Sequence, residues 1–73
     1  MRTTKNVISS NIASLTHDDE SDELEVVFQN GGIYRYYGVE KDVYFELINS
    51  DLSIGSAFHR LIRNAGYDYD KLN

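Results

Sequence analysis

Catalysis needs a nucleophile, a base and a group that orients the base. This chain supplies the residue types sparsely: His17 and His59, with Ser9, Ser10, Ser53 and Ser56 as hydroxyl donors and no cysteine. His17 runs into an acidic turn, and His59 falls on the polar side of a predicted helix. No spacing brings either imidazole to a serine, so both read as surface histidines and no enzymatic activity is expected. The stretch "HDDESDE" is rich in carboxylates. It lacks the Asp-x-Asp-x-Asp-Gly order and the distal bidentate Glu of a calcium loop, so it reads as a solvated turn. No cofactor or metal is predicted. The glycines of "NGG" lie between two strands rather than ahead of a helix, which excludes a phosphate-cradling loop.

Binding is the better use of these residues. "NGGIYRYYGV" puts three tyrosines and an arginine beside a glycine turn. Its register decides where they point. A two-residue Asn30-Gly31 turn would put Arg35 among the apolar side chains of the preceding strand. A three-residue loop, Asn30 to Gly32, pairs Phe28 with Tyr34 and Val26 with Tyr36. It sets Arg35 across from Val27, diagonal to Glu25. A one-residue slip exchanges the faces, and a buried charge is costly, so the three-residue loop is expected. Tyr34 and Tyr36 then belong to the core. Val27, Ile33, Arg35 and Tyr37 lie on the opposite face as a candidate interaction surface.

The elements that carry these residues follow from periodicity. Asn11 to Thr16 alternates and predicts a first strand, with Ile12, Ser14 and Thr16 on one side. "LEVVFQ" is a second, with Leu24, Val26 and Phe28 on one face. "IYRYY" completes a hairpin. Val43, Tyr44, Leu47 and Ile48 have helical spacing, with Glu40 and Asp42 placed to suit the helix dipole. Phe58, Leu61, Ile62 and Ala65 define a second amphipathic helix. Ser53 is its expected N-cap and Gly66 the left-handed residue that ends it. Residues 1–6 are expected to be disordered, and the tyrosines of "YDYDKLN" could fold back onto the sheet. The predicted fold is α+β: a three-stranded antiparallel meander followed by two α-helices packed on one sheet face (β-β-β-α-α).

The 73 residues make a single domain, 1–73, with a thin core. A hydrophobic fraction of 41% is too high for a disordered chain. No apolar run approaches a membrane span of about 18 residues, and the N-terminal stretch has no apolar segment of a signal peptide. A cytoplasmic location and no membrane partner are expected. The net charge of −5 disfavours nonspecific binding to nucleic acid, which depends on neutralising phosphates.

Taken in order, "SSNI", "LEVVF", "NGGIYRYYGV", the "VY" of the first helix, "SIGSAF" and the late tyrosines resemble the KTSC domain family. The likeness runs from about Val7 to Leu72. It implies a small α+β module without an established enzymatic activity. Such modules occur at the C-terminus of some lysyl-tRNA synthetases and as stand-alone bacterial or phage proteins. Two positions depart from the family pattern: Glu40 stands where a proline is common, and Ala57-Phe58-His59 where a Tyr-Phe-Asn triplet is common.

The expected function is therefore a non-enzymatic binding module that acts on a protein partner or on a second copy of itself. One alternative is an adjunct for RNA or single-stranded nucleic acid, with contacts from Arg35, Tyr37, His59, Arg60 and Arg63. Another is a small-ligand binder or hydrolase formed at a subunit interface.

Overall fold

A computed structural model of the chain describes residues 1–7, 9–50 and 53–73. Five strands form one antiparallel sheet in the order β1-β2-β3-β4-β5: Arg2–Asn6, Ile12–Asp18, Glu23–Phe28, Ile33–Tyr37 and Tyr69–Lys71. Helix α1 spans Lys41–Ile48 and helix α2 spans Ile54–Phe58, which continues into a single π-helical turn, His59–Arg63. The α+β reading holds, but the sheet has five strands where three are predicted from the sequence.

The two additional strands sit at the edges. β1 pairs with β2 from Arg2↔Asp18 to Asn6↔Ser14, so the first residues are ordered rather than frayed. The Oγ1 atoms of Thr4 and Thr16 meet at 2.9 Å across that ladder. β5 pairs with β4 through Tyr34↔Lys71, Arg35↔Asp70 and Tyr36↔Tyr69. Every residue of both edge strands is exposed. They are held by ladder hydrogen bonds and side-chain pairs rather than by a buried apolar stripe.

Within the sheet, a bulge reshapes β2. Ile12 faces Phe28 and Ser14 faces Val27, which leaves Ala13 as the extra residue. A bulge shifts the alternation by one position. Ile12, Leu15 and His17 therefore share the core face, whereas strict alternation would have grouped Ile12 with Ser14 and Thr16. The β3–β4 loop has three residues, Gln29 to Gly31, one position earlier than expected. Phe28 N–H donates to Gly32 O at 2.8 Å and Gly31 N–H to Phe28 O at 3.0 Å. Gly31 takes the left-handed conformation at φ +92°. The register becomes Leu24↔Tyr36, Glu25↔Arg35 and Val26↔Tyr34. That is a slip of two residues from the predicted pairing, so the faces are preserved and the partners change.

Both helices cover one face. Tyr44 and Leu47 of α1 are buried, with Val43 and Ile48 packed beside them. Tyr44 stacks on His17 at 5.1 Å, and its hydroxyl donates to Thr3 O at 3.3 Å, so α1 lies over β1 and β2. Phe58 meets Phe28 and Tyr36 edge-on, both at 5.7 Å, so α2 lies over β3 and β4. Ser53 occupies the N-cap position without a side-chain cap bond. In the π-turn, Asn64 N–H reaches back five residues to His59 O at 3.0 Å. Ile62 remains buried there, but the helix ends at Asn64, so Ala65 is exposed rather than part of the apolar stripe. Gly66 adopts φ +81°, as expected of the terminating glycine.

His17 is the largest departure. It is 2% exposed, and its Nε2–H donates to Val39 O at 2.7 Å. It is a core residue, contrary to the surface reading. The cause is the length of β2, which runs on to Asp18 instead of ending at Thr16 and so keeps position 17 in the strand, on the face of Leu15.

Candidate functional site

The face without helices carries the surface expected from the sequence. Val27 and Ile33 are direct cross-strand partners there, both half-buried. The polar groups around them are already engaged. Arg35 stands directly opposite Glu25 and pairs with it at 3.4 Å, and Arg2 reaches the same carboxylate at 3.7 Å. The hydrogen bond to Glu25 holds the Arg35 guanidinium above its ordinary pKa. Tyr37 donates its hydroxyl to Asp70 at 2.7 Å. That hydrogen bond is the main reason its phenol is pushed up, with burial adding to it and Arg35 opposing. Tyr37 is therefore tied to the fifth strand.

The residues assigned to nucleic-acid contact do not come together. Arg35 and Tyr37 lie on the open face, while His59, Arg60 and Arg63 belong to the π-turn on the other side. Arg60 and His59 are exposed, and only His59 and Arg63 border a cavity.

Arg63 lines a cleft of about 1090 Å³ on the helix-bearing face. It opens where the helices leave the β4–β5 edge uncovered. One end is the loop Gln29 to Gly32 together with Ser10 and Asn11. Its floor is Phe28, Tyr34 and Tyr36, and one wall is Ile62 and Arg63. The other wall is Tyr67, Tyr69, Lys71 and Asn73, alternate residues of the tail. A smaller hollow of about 180 Å³ continues from it past Asn11 and Arg63 to Gly55, Phe58 and His59.

Local structure positions each part. Ser9 Oγ accepts from the N–H groups of Asn11 and Ile12 at 3.2 and 3.4 Å, which turns the chain into β2. Gln29 Nε2 donates to Ser9 O and Ile12 O, both at 3.4 Å. Asn30 Oδ1 accepts from Gly32 N–H at 3.0 Å. The Asn73 carboxamide ties the tail to the loop: Oδ1 accepts from Ile33 N–H at 3.0 Å, and Nδ2 donates to Gly31 O at 2.7 Å. Tyr69 lies over Tyr36 and Tyr34, with centroids 5.3 and 5.9 Å apart. Burial pushes the Tyr36 phenol above its ordinary value, and the nearby Arg63 charge opposes the shift.

The cations differ in whether a carboxylate holds them. Arg2, Arg35 and Lys41 have carboxylate partners. Among the described residues, Arg63 and Lys71 have none. Among the described residues, the side chains lining the cleft include no Asp or Glu, although the chain has twelve. Among the described residues no group of three or more His, Asp or Glu side chains is gathered as a metal site.

Comparison with known proteins fits this architecture to a family. The KTSC domain family model matches residues 8–71. The chain belongs to the KTSC domain family. A KTSC domain protein from Yersinia pestis, known from a crystal structure, superposes with a TM-score of 0.89 at 26% identity, covering 100% of both chains. An uncharacterized protein of Stutzerimonas stutzeri (strain A1501) is 35% identical over 65 residues, 89% of this chain and 90% of its own length. Several stretches that carry the KTSC resemblance converge on the cleft. "SSN" and "NGG" form its end, the tyrosines of "YRY" its floor, and "SIGSAF" the adjoining hollow. No helix among the described residues is long and apolar enough to cross a membrane.

The sequence reading missed Asn11, Gln29, Tyr67, Tyr69, Lys71 and Asn73 as a group. A signal was present for the last four. They alternate with Asp68, Asp70 and Leu72, which is the period of a strand with one aromatic, basic face.

Proposed function

We propose that this KTSC protein works by binding rather than by catalysis, and that the cleft takes an anionic ligand. One observation carries the reading: in a chain with net charge −5, the described residues that line the cleft include no Asp or Glu, and among the described residues Arg63 and Lys71 there have no carboxylate partner. A site that excluded charge of both signs would suit a neutral ligand. This one is selective in sign, which is electrostatic complementarity to an anion. The absence of a nucleophile–base pair at the site favours binding over turnover.

The test is titration with a heparin oligosaccharide as a generic polyanion, followed by backbone amide NMR at low salt. Shifts confined to Asn11, Gly31, Arg63, Lys71 and their neighbours, lost in Arg63→Glu/Lys71→Glu, are the expected result. Shifts on the opposite sheet face, or none, would refute it.

A second reading rests on the Val27–Ile33 pair, an apolar spot on a sheet face that no helix covers. Self-association through it would bring in the open face. Sedimentation velocity should then show a dimer that Ile33→Asp dissociates. A concentration-independent monomer removes this reading.

A further inference from the structure

Resting on the anionic-cleft reading, we infer that the ligand is a short segment of single-stranded nucleic acid, bound with a base stacked on Tyr69. Two cations alone would serve any anion, an acidic peptide included. The remaining lining separates these ligands.

Tyr69 is 57% exposed, so it offers a ring to solvent. It does not hang free. Its inner side rests on Tyr36 and Tyr34, and those are backed edge-on by Phe58 and Phe28. The tilted rings beneath hold Tyr69 in place, and its own outer face is a planar apolar surface beside two cations that have no carboxylate partner among the described residues. Nucleobases use such a platform, because every base has an aromatic π-face, and a peptide of acidic side chains has no ring to stack there. The cleft also offers carboxamides. Asn11 makes no side-chain hydrogen bond among the described residues, and the Gln29 carbonyl oxygen is likewise uncommitted. A carboxamide presents a donor and an acceptor side by side, which suits the edge of an unpaired base. Arg63 on the π-turn and Lys71 on β5 flank the tyrosine floor, where they can meet phosphates on either side of the stacked base. A volume of about 1090 Å³ leaves room for a short run of linked nucleotides.

The molecule's charge bounds the strength of the interaction. With two phosphate contacts on a single strand, affinity should fall about sevenfold between 50 and 200 mM salt. A protein whose whole surface attracted nucleic acid would show a much steeper loss.

The experiment uses the full chain and three fluorescein-labelled probes: an oligothymidylate octamer, an oligouridylate octamer and a poly-glutamate octapeptide. Fluorescence anisotropy should register binding of one or both oligonucleotides, with the stated salt dependence. The two arms distinguish DNA from RNA. Arg63→Gln should flatten the salt dependence to about threefold over the same range. Tyr69→Ala should weaken binding at least about fivefold, and circular dichroism should show its fold intact because the ring lies on an exposed edge strand. Peptide binding that matches or exceeds oligonucleotide binding and ignores Tyr69→Ala overturns the nucleic-acid inference but leaves the anionic cleft standing. Binding of none of the three probes at low salt overturns both. Oligonucleotide binding that survives Tyr69→Ala unchanged overturns the stacking platform.

Discussion

Replacing His17 tests how the core of this small sheet is held together. The imidazole is 2% exposed, stacks on Tyr44 with only 16° between the planes, and donates to the Val39 carbonyl at 2.7 Å. Truncation to alanine removes the stack, worth about 0.5–1.5 kcal/mol beyond its area. It also strips a buried carbonyl of its donor, at about 1–3 kcal/mol. The expected loss is about 2–4 kcal/mol. A 73-residue domain has roughly 4–11 kcal/mol of stability, so this is a large share of the total. At roughly 4–8 °C per kcal/mol for a domain of this size, a loss near 3 kcal/mol lowers Tm by about 12–24 °C. His17→Phe keeps a ring against Tyr44 but not the donor, so it should cost about 1–3 kcal/mol. Urea and thermal unfolding followed by circular dichroism give both values, with an unchanged urea slope confirming that only stability has moved. If His17→Phe were as stable as the parent, the hydrogen bond to Val39 would contribute nothing and the reasoning would fail.

Three further outcomes concern groups already described. Burial raises the phenol pKa of Tyr44 and Tyr36 above the ordinary 10.0. A raised group contributes its full stabilisation below the unfolded value, and that contribution is lost as pH rises through the folded one. The fold should thus hold to about pH 10 and lose stability above it. Tyr44→Phe should move the alkaline transition to higher pH, read by phenolate absorbance beside circular dichroism. Gly31→Ala should cost about 1–2 kcal/mol, because φ +92° opposes any Cβ even with open space around it. Gly55→Ala should be tolerated, since its Cβ would meet only ordinary contacts of 3.5 Å or more, at Ser53, Asn11 and Ser9. The same unfolding assay compares the two.

How much of this was legible depends on what each element buries. Leu24, Val26 and Phe28 announced their strand because one face is in the core and the other is not. Val43, Tyr44, Leu47 and Ile48 announced α1 for the same reason. β1 could not be read, since "RTTKN" exposes every side chain and leaves no alternation to detect. The hairpin was right in parity and wrong in partners. Excluding Arg35 from the core fixes odd against even, but nothing in the pattern distinguishes a loop at Gln29 from one at Asn30. That two-residue slip changed Arg35 from a side chain diagonal to Glu25 into one paired with it, and so removed it from the set of free cations. His17 was misplaced because β2 continues to Asp18 rather than ending at Thr16, which keeps it on the core face with Leu15. The cleft was out of reach because it combines four separated stretches, and only the tail's own alternation pointed toward it.

The separation of charge has a practical consequence for handling the molecule. β3 runs from the carboxylate-rich turn around Asp18 to Glu23 at one end to the loop that closes the cleft at the other, about 20 Å away. The protein is therefore an oriented dipole as well as a net anion. Adsorbed on a cationic bead or sensor chip, it should settle on its acidic end and hold the cleft outward, so simple ionic capture would present the binding site without a chemical linker.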